Sequence, residues 1–388
     1  MISKDGRKLA FRGSAVDRYA TGEESEIYLL DIASNRLTRV TNNGVSEGLL
    51  SFSPDSRWLA FAAPDEFTYM RNHRIYILPV DGGPLRKLGD GFDNHLSLSF
   101  WSPDSQSIYF NDQVGATTNI YQINVAANQI HPVTNEHGVV TAGRDEDSGL
   151  VLLSYTDPST PSDLYVTTLS NLGVRSRWTR VTRINPQVEK LALGATESIR
   201  WKSRDGALVE GVLVKPLNYQ AGRRYPLIVQ LHGGPAGAYT LTFSGSHGTY
   251  THIYAANGYV VLQPNYRGSS GYGEKFRTQI SGDYFRQAFE DIMTGVDYLI
   301  EKGWVDPNAM GMMGWSAGGH WSNWTLVSTD RFKAISTGAG AVNWISLYAQ
   351  TDVQVPREFY FKGNPYELES DEFSATLTSL FPSGHFQS

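Results

Sequence analysis

A serine flanked by glycines two positions to either side, in Gly314-Trp315-Ser316-Ala317-Gly318-Gly319, is the grouping best suited to covalent chemistry in this sequence. In a G-x-S-x-G run the serine occupies a sharp strand-to-helix turn, and the glycines let strand and helix approach without Cβ clashes. The flanks have the required character: Ala309–Met313 reads as a buried strand, and residues from Ala317 to Ser328 can run on as a helix. Acyl transfer also needs donors for a developing oxyanion, and His232-Gly233-Gly234-Pro235 stands directly after the apolar run Leu227–Leu231. A glycine-rich loop at that place can turn a backbone N–H toward a substrate carbonyl, and the second donor is the N–H of the residue after the nucleophile, here Ala317.

The partners that would activate Ser316 are harder to find. In this design the chain order is serine, then acid, then histidine. Only His320 and His385 follow Ser316. His320 lies on the same helix, four residues on, with no acid between, which excludes it as the base. His385 sits near the end of the sequence, preceded by Asp330, Asp352, Glu358, Glu367, Glu369, Asp371 and Glu372. One more strand is expected over Phe332–Thr337, and what remains is short for two further strand-helix units of about 30 residues each. The triad acid and histidine are therefore unassigned, with His385 the remaining candidate base, and the chain is expected to be an impaired catalyst.

Other groupings carry less. Asn265-Tyr266-Arg267-Gly268-Ser269-Ser270-Gly271-Tyr272-Gly273 is a glycine-rich loop between strand and helix, but it has neither G-x-G-x-x-G nor a Gly-Lys-Ser/Thr ending, so it is not a phosphate cradle. Arg267 and Tyr272 either touch substrate or brace that loop. His247 and His252 have no third ligand arranged around them, which leaves no metal site. Glu23, Glu24 and Glu26 read as a solvated acidic loop more readily than as a site for a peptide amine. No cofactor is implied.

At 388 residues the chain is long for one core. A net charge of −6 and a pI near 5.9 argue against nucleic-acid or anionic-membrane partners. The absence of cysteine excludes disulfides, thiol catalysis and cysteine-bound zinc. No apolar stretch approaches the roughly 18 residues of a membrane span. Met1-Ile2-Ser3-Lys4-Asp5-Gly6 has no secretory signal character and reads as the middle of a repeat. The compartment expected is cytoplasmic by default, or periplasmic if the N-terminus is truncated.

The first half repeats. An Ile-Tyr or Leu-Tyr step recurs at Ile27-Tyr28, Ile75-Tyr76, Ile120-Tyr121 and Leu164-Tyr165, each preceded by a turn and an apolar strand. The turns include Ser53-Pro54-Asp55-Ser56 and Ser102-Pro103-Asp104-Ser105, and the fourth, Asp147-Ser148-Gly149, is degenerate. A period of about 45 residues with several strands per unit means propeller blades. From about Thr196 the pattern changes to near-continuous apolar strands alternating with helices, one of them amphipathic through Phe289, Ile292, Met293, Val296, Leu299 and Ile300. The expected architecture is a partial β-propeller of about four blades, residues 1–190, followed by an α/β-hydrolase domain, residues 196–388, that lacks its last strands.

The ordered set of Ser-Pro-Asp repeats, His-Gly-Gly-Pro, Asn-Tyr-Arg-Gly-Ser-Ser-Gly-Tyr-Gly and Gly-Trp-Ser-Ala-Gly-Gly resembles the prolyl oligopeptidase family of serine peptidases, and most closely its acylaminoacyl-peptidase-like branch. The resemblance covers residues 1 to about 366. It implies Ser316 as nucleophile, the backbone N–H groups of Gly234 and Ala317 as the oxyanion hole, and a propeller that admits short peptides while excluding folded proteins. The sequence departs from the family at both ends, with fewer blades and no matching acid or histidine beyond Tyr366. Two other readings remain: a carboxylesterase of the same fold, and a non-catalytic propeller that binds peptides or partners. A propeller short of blades exposes strand edges, which makes a homo-oligomer a further expectation.

Overall fold

A computed structural model of the chain describes residues 1–14, 25–244, 249–351 and 353–366. Two compact units are present: Met1–Asp157 with Ser162–Asn185, and Pro158–Pro161 with Pro186–Ser388.

The first unit is built from antiparallel strands in repeating order. A three-stranded sheet comprises β1 (Lys8–Gly13), β2 (Glu26–Asp31) and β3 (Arg36–Arg39), and a four-stranded sheet β4 (Gly48–Phe52), β5 (Trp58–Pro64), β6 (His73–Pro79) and β7 (Arg86–Leu88). The next group is β8 (Ser97–Trp101), β9 (Ser107–Val114), β10 (Thr117–Asn124) and β11 (Gln129–Pro132). The last is β12 (Val139–Arg144), β13 (Leu150–Asp157), β14 (Thr160–Thr168) and β15 (Thr179–Arg180), joined to the third by a parallel bridge between Thr118 and Val139. These are the four repeats, and the Tyr of each marker falls on the third strand of its blade, or on the second where three strands are described.

Strand alternation explains how the blades stack. Leu59 and Phe61 face one neighbour, in a cluster with Ala10 and Ile27, while Ala60 faces the other, with Ile108 and Phe110. Tyr109 in turn points away from Ile108 and Phe110, toward Val140 and Val151. The second and third blades thus bury both faces against adjacent blades, and the first and fourth pack on the second and third, the nearest-neighbour arrangement of repeat proteins. The marker tyrosine pairs across strands with a phenylalanine: Phe11 with Tyr28, Phe61 with Tyr76, and Phe110 with Tyr121, ring centroids 5.5, 5.5 and 5.4 Å apart. The fourth blade replaces this pair with Tyr155, Tyr165 and Trp178 around the Arg175 guanidinium, 4.3, 4.5 and 4.9 Å from the ring centroids.

The Ser-x-Asp-x turns do two things. Within a turn the serine hydroxyl donates to the aspartate, as from Ser53 to Asp55 at 2.6 Å, and accepts from the backbone where the next strand begins, at Trp58 N, 2.9 Å. Between blades, Asp5 N donates to Ser56 Oγ and Asp55 N to Ser105 Oγ, both at 3.2 Å. Ser56 and Ser105 each hold φ +58°, a conformation an L-residue adopts at some cost.

In the second unit six strands order as β16-β17-β19-β18-β20-β21: β16 (Thr196–Lys202), β17 (Leu208–Val214), β18 (Tyr225–Leu231), β19 (Val260–Asn265), β20 (Val305–Trp315) and β21 (Ala334–Gly338). β16, β17 and β19 pair antiparallel, and β19, β18, β20 and β21 run parallel. Helices are α1 (Thr251–Ala256), α2 (Glu274–Thr278), α3 (Arg286–Glu301), α4 (Ala317–Ser328), α5 (Trp344–Gln350) and α6 (Gln354–Phe361). The amphipathic helix is α3, with Ala288, Ile292, Met293, Val296 and Leu299 buried; Gly295 lies against the Trp201 ring, where a Cβ would come 2.7 Å from Cζ2. This is the α/β-hydrolase arrangement, with strand β20 leading into α4 through Ser316. Among the described residues no helix is long and apolar enough to cross a membrane.

The inter-blade serines yield a graded test. Ser105→Ala removes a hydrogen bond, worth about 1 kcal/mol, and keeps the left-handed strain, whereas Ser105→Gly loses the bond and relieves the strain. Chemical denaturation of the first unit should place Ser105→Gly between wild type and Ser105→Ala. A glycine variant less stable than the alanine one contradicts this role.

Candidate active site

Ser316 sits at φ 57°, ψ −122°, a region that side-chain-bearing residues rarely occupy, between the end of β20 and the first turn of α4. Its N–H donates to Gly338 O on β21 at 2.9 Å, and its carbonyl accepts from His320 N at 3.1 Å. The surrounding glycines are explained by contacts. A Cβ on Gly314 would overlap Gly318 O, one on Gly318 would overlap Leu231 O, and one on Gly319 would press on Gly338 O. Strand β20, helix α4 and strands β18 and β21 therefore meet backbone to backbone around the serine. Trp315, 69% exposed, lays its ring over Gly338.

The oxyanion loop lies alongside. A Cβ on Gly233 would come 3.2 Å from both Ser316 Cβ and Trp315 O, and Gly234 holds φ +129°. Ala317, the first residue of α4, is buried. The structure thus sets Gly233 beside Ser316, with Ala317 following the serine at the start of α4.

Arg267 and Tyr272 turn out to be braces. Arg267 is fully buried and makes a two-pronged pair with the equally buried Asp291 of α3, Nε to Oδ2 at 2.9 Å and Nη2 to Oδ1 at 2.7 Å. It also donates to Gln287 Oε1 at 3.0 Å, to Ser203 Oγ at 3.2 Å and to Asp205, so its donors are spent on the protein. Breaking one side of such a pair leaves a buried charge uncompensated. Tyr272 donates to Glu210 at 2.9 Å and accepts from Asn265 Nδ2 at 2.7 Å; Asn265 in turn holds the backbone of Tyr239 through both its N–H and its C=O. The acid that answers Arg267 comes from helix α3, and nothing in the loop's own sequence signals it.

His320 is buried, with Nδ1 3.1 Å from the Tyr284 hydroxyl and its ring edge-on to Trp344, centroids 4.6 Å apart. Burial pushes its pKa down to about 3, with the Arg357 charge adding to the effect, so the imidazole is neutral and structural. Among the described residues no imidazole hydrogen-bonds Ser316. Of the acids ahead of His385, Glu358 accepts from the Tyr348 hydroxyl and Asp330 is exposed. His385, His247, Glu23, Glu24, Asp352, Glu367, Glu369, Asp371 and Glu372 lie outside the described residues. His252 stacks on Phe243, centroids 5.4 Å apart, and Glu26 is buried, accepting from Asn43 N at 2.7 Å and pairing with Arg39.

Comparison with known proteins agrees with this fold. Residues 246–380 match the sequence profile of the prolyl oligopeptidase family, and residues 1–160 that of the TolB beta propeller domain. The second unit belongs to the prolyl oligopeptidase family. The chain is 30% identical to the uncharacterized peptidase YuxL of Bacillus subtilis, covering 92% of this chain and 62% of that protein. It is 29% identical to dipeptidyl-peptidase 5 of Porphyromonas gingivalis, covering 90% and 51%. Its fold superposes on acylaminoacyl peptidase from Pyrococcus horikoshii with TM-score 0.77 at 23% identity, covering 96% of this chain and 57% of that one. The chain therefore spans about half to three-fifths of these relatives' lengths.

The buried histidines of this prolyl oligopeptidase family unit make its stability depend on pH. His320, at about 3, and His232, lowered to about 4 by burial, stay neutral when folded and regain an ordinary value near 6.5 when unfolded. Unfolding then takes up protons below about pH 6.5. Their contribution is complete above that value and shrinks as pH falls toward the folded values, by about 2 kcal/mol per histidine by pH 5. Denaturation curves for His320→Gln should show about 2 kcal/mol less loss between pH 7 and 5 than wild type. Equal losses would mean that His320 is not buried and neutral.

Proposed function

We propose that the protein is a serine-type peptidase acting on short peptides through an acyl-enzyme on Ser316. Ser316 Oγ attacks the scissile carbonyl carbon, the carbonyl oxygen takes negative charge opposite the N–H groups of Gly234 and Ala317, and the C–N bond breaks as the amine leaves with a proton. Water then attacks the ester carbonyl and releases the acid. The observation that carries this reading is the left-handed Ser316 set beside Gly233 at the start of α4. Family membership of the second unit favours peptides, and a propeller in the same chain fits selection by size. An ester carbonyl meets the same elbow, so carboxylesterase activity is the neighbouring outcome.

Turnover by the 388-residue polypeptide should be slow. The proton on Ser316 Oγ has no imidazole to receive it among the described residues, and a serine hydroxyl without a base is a weak nucleophile at neutral pH. Loss of a triad member leaves about 10³- to 10⁴-fold over water, supplied by the oxyanion hole and binding.

A fluorophosphonate probe with mass-spectrometric mapping tests both parts. Slow labelling confined to Ser316, absent in Ser316→Ala, is expected, with peptide and aryl ester substrates compared in parallel. Labelling elsewhere would sink the assignment of Ser316. Rapid labelling of Ser316 that vanishes in His385→Ala would show that the terminal histidine is recruited and the site is not impaired.

A further inference from the structure

A loop of two glycines cannot aim its own amides. Gly233 and Gly234 have no side chains to pack and many accessible backbone conformations, yet an oxyanion hole works only if its N–H groups are held in one direction before the reaction. The restraint must come from neighbouring residues, and the structure shows where it originates.

Each peptide unit places its C=O and N–H in one plane, pointing opposite ways when the bond is trans. The one cis bond among the described residues is Gly234–Pro235, so the His232–Gly233 and Gly233–Gly234 peptides are trans. Fixing the oxygen of His232 therefore aims the N–H of Gly233, and fixing the oxygen of Gly233 aims the N–H of Gly234. Both oxygens are held. The Tyr266 hydroxyl donates to His232 O. His232 Nδ1 lies 2.9 Å from Gly233 O, and Nε2 lies 2.9 Å from Ser269 Oγ.

One ring proton and one hydroxyl proton serve these contacts. Burial keeps the imidazole neutral, so with its proton on Nδ1 it donates to Gly233 O, and Nε2 can accept from the Ser269 hydroxyl. Ser269 is fully buried, and its Oγ also lies 2.6 Å from Tyr266 O, so its single proton goes either to Nε2 or to that carbonyl and not to both at once. Tyr266, likewise fully buried, stacks flat on the imidazole with centroids 4.4 Å apart and planes 7° apart. Its ring also meets Trp321 of α4, centroids 4.7 Å apart. Helix α4 carries Ala317, so one side chain touches the supports of both proposed donors.

We infer that Tyr266 and Ser269 are positioning residues for the oxyanion loop, acting through His232 to fix the two peptides that carry the Gly233 and Gly234 N–H groups. This rests on the peptidase reading above and adds to it two residues beyond the elbow and the loop. Neither is a catalytic residue, since each acts through His232.

The test uses the full chain with Tyr266→Phe, Ser269→Ala and Ser316→Ala. Two readouts separate aim from stability. Hydrogen exchange by mass spectrometry follows the peptide spanning residues 232–239. Titration compares a peptide boronic acid, which becomes tetrahedral on Ser316, with the matching peptide amide, which stays trigonal. Tyr266→Phe and Ser269→Ala should speed exchange in that segment about tenfold or more and weaken the boronate about tenfold or more, since one misaimed donor forfeits part of the 10²–10³ that a whole donor supplies. Affinity for the amide should be unchanged. Ser316→Ala should abolish the boronate adduct and leave the loop's exchange as in wild type. Wild-type exchange and boronate affinity in both variants would overturn the inference while leaving the peptidase reading intact, and so would equal weakening of the two ligands, which marks a merely structural role. No boronate adduct on the wild-type chain overturns the peptidase reading instead, and loop exchange then decides the inference by itself. If Tyr266→Phe does not fold, Ser269→Ala carries the same comparison.

Discussion

The backbone of Ser316 is held where an L-residue pays for being, and the rest of the hydrolase unit is arranged so that it cannot leave. Such a conformation costs about 1–3 kcal/mol and persists only when its surroundings over-determine it. Here they do so by backbone contact: Gly314 against Gly318, Gly318 against Leu231, Gly319 against Gly338, and a hydrogen bond from Ser316 N to Gly338 O. Three parallel strands and one helix must be in register for those contacts to exist together. The serine hydroxyl is thereby carried on a turn that no single element could form.

Electrostatic and aromatic braces keep the neighbouring loops in step with that turn. The Arg267–Asp291 pair ties the loop after β19 to helix α3 from inside the unit, where loss of either partner would strand a charge. Tyr266 links the oxyanion loop to α4, and Tyr284 continues the contact by stacking on Trp321, centroids 4.7 Å apart. The first unit is stabilised differently. Each blade depends on its neighbours through alternating faces and through the backbone-to-serine bonds at Ser56 and Ser105.

Much of this was legible in the sequence, for identifiable reasons. The elbow, α4 and the strands β18 and β19 announce themselves through glycine spacing and apolar runs, because close backbone approach and burial on both faces leave few residue types able to serve. The blades are visible because the Phe-Tyr cross-strand pair and the Ser-Pro-Asp turn recur in register. Long-range partners were not legible. Nothing near Arg267 in sequence points to Asp291 on α3, and the bonds of His232 to Ser269 and of Tyr266 to His232 O join residues 37 and 34 positions apart. The short helices α1, α2, α5 and α6 escaped as well, since five to eight residues give too few turns for a 3.6-residue period to show.

The central claim is that the elbow is formed by strand and glycine packing and needs no triad histidine to hold it. A crystal structure of the 388-residue chain carrying His385→Ala measures this most directly through the φ angle of Ser316. The account predicts a value near +57° with Ser316 N still bonded to Gly338 O. A relaxed serine at negative φ, with that bond broken, would contradict it.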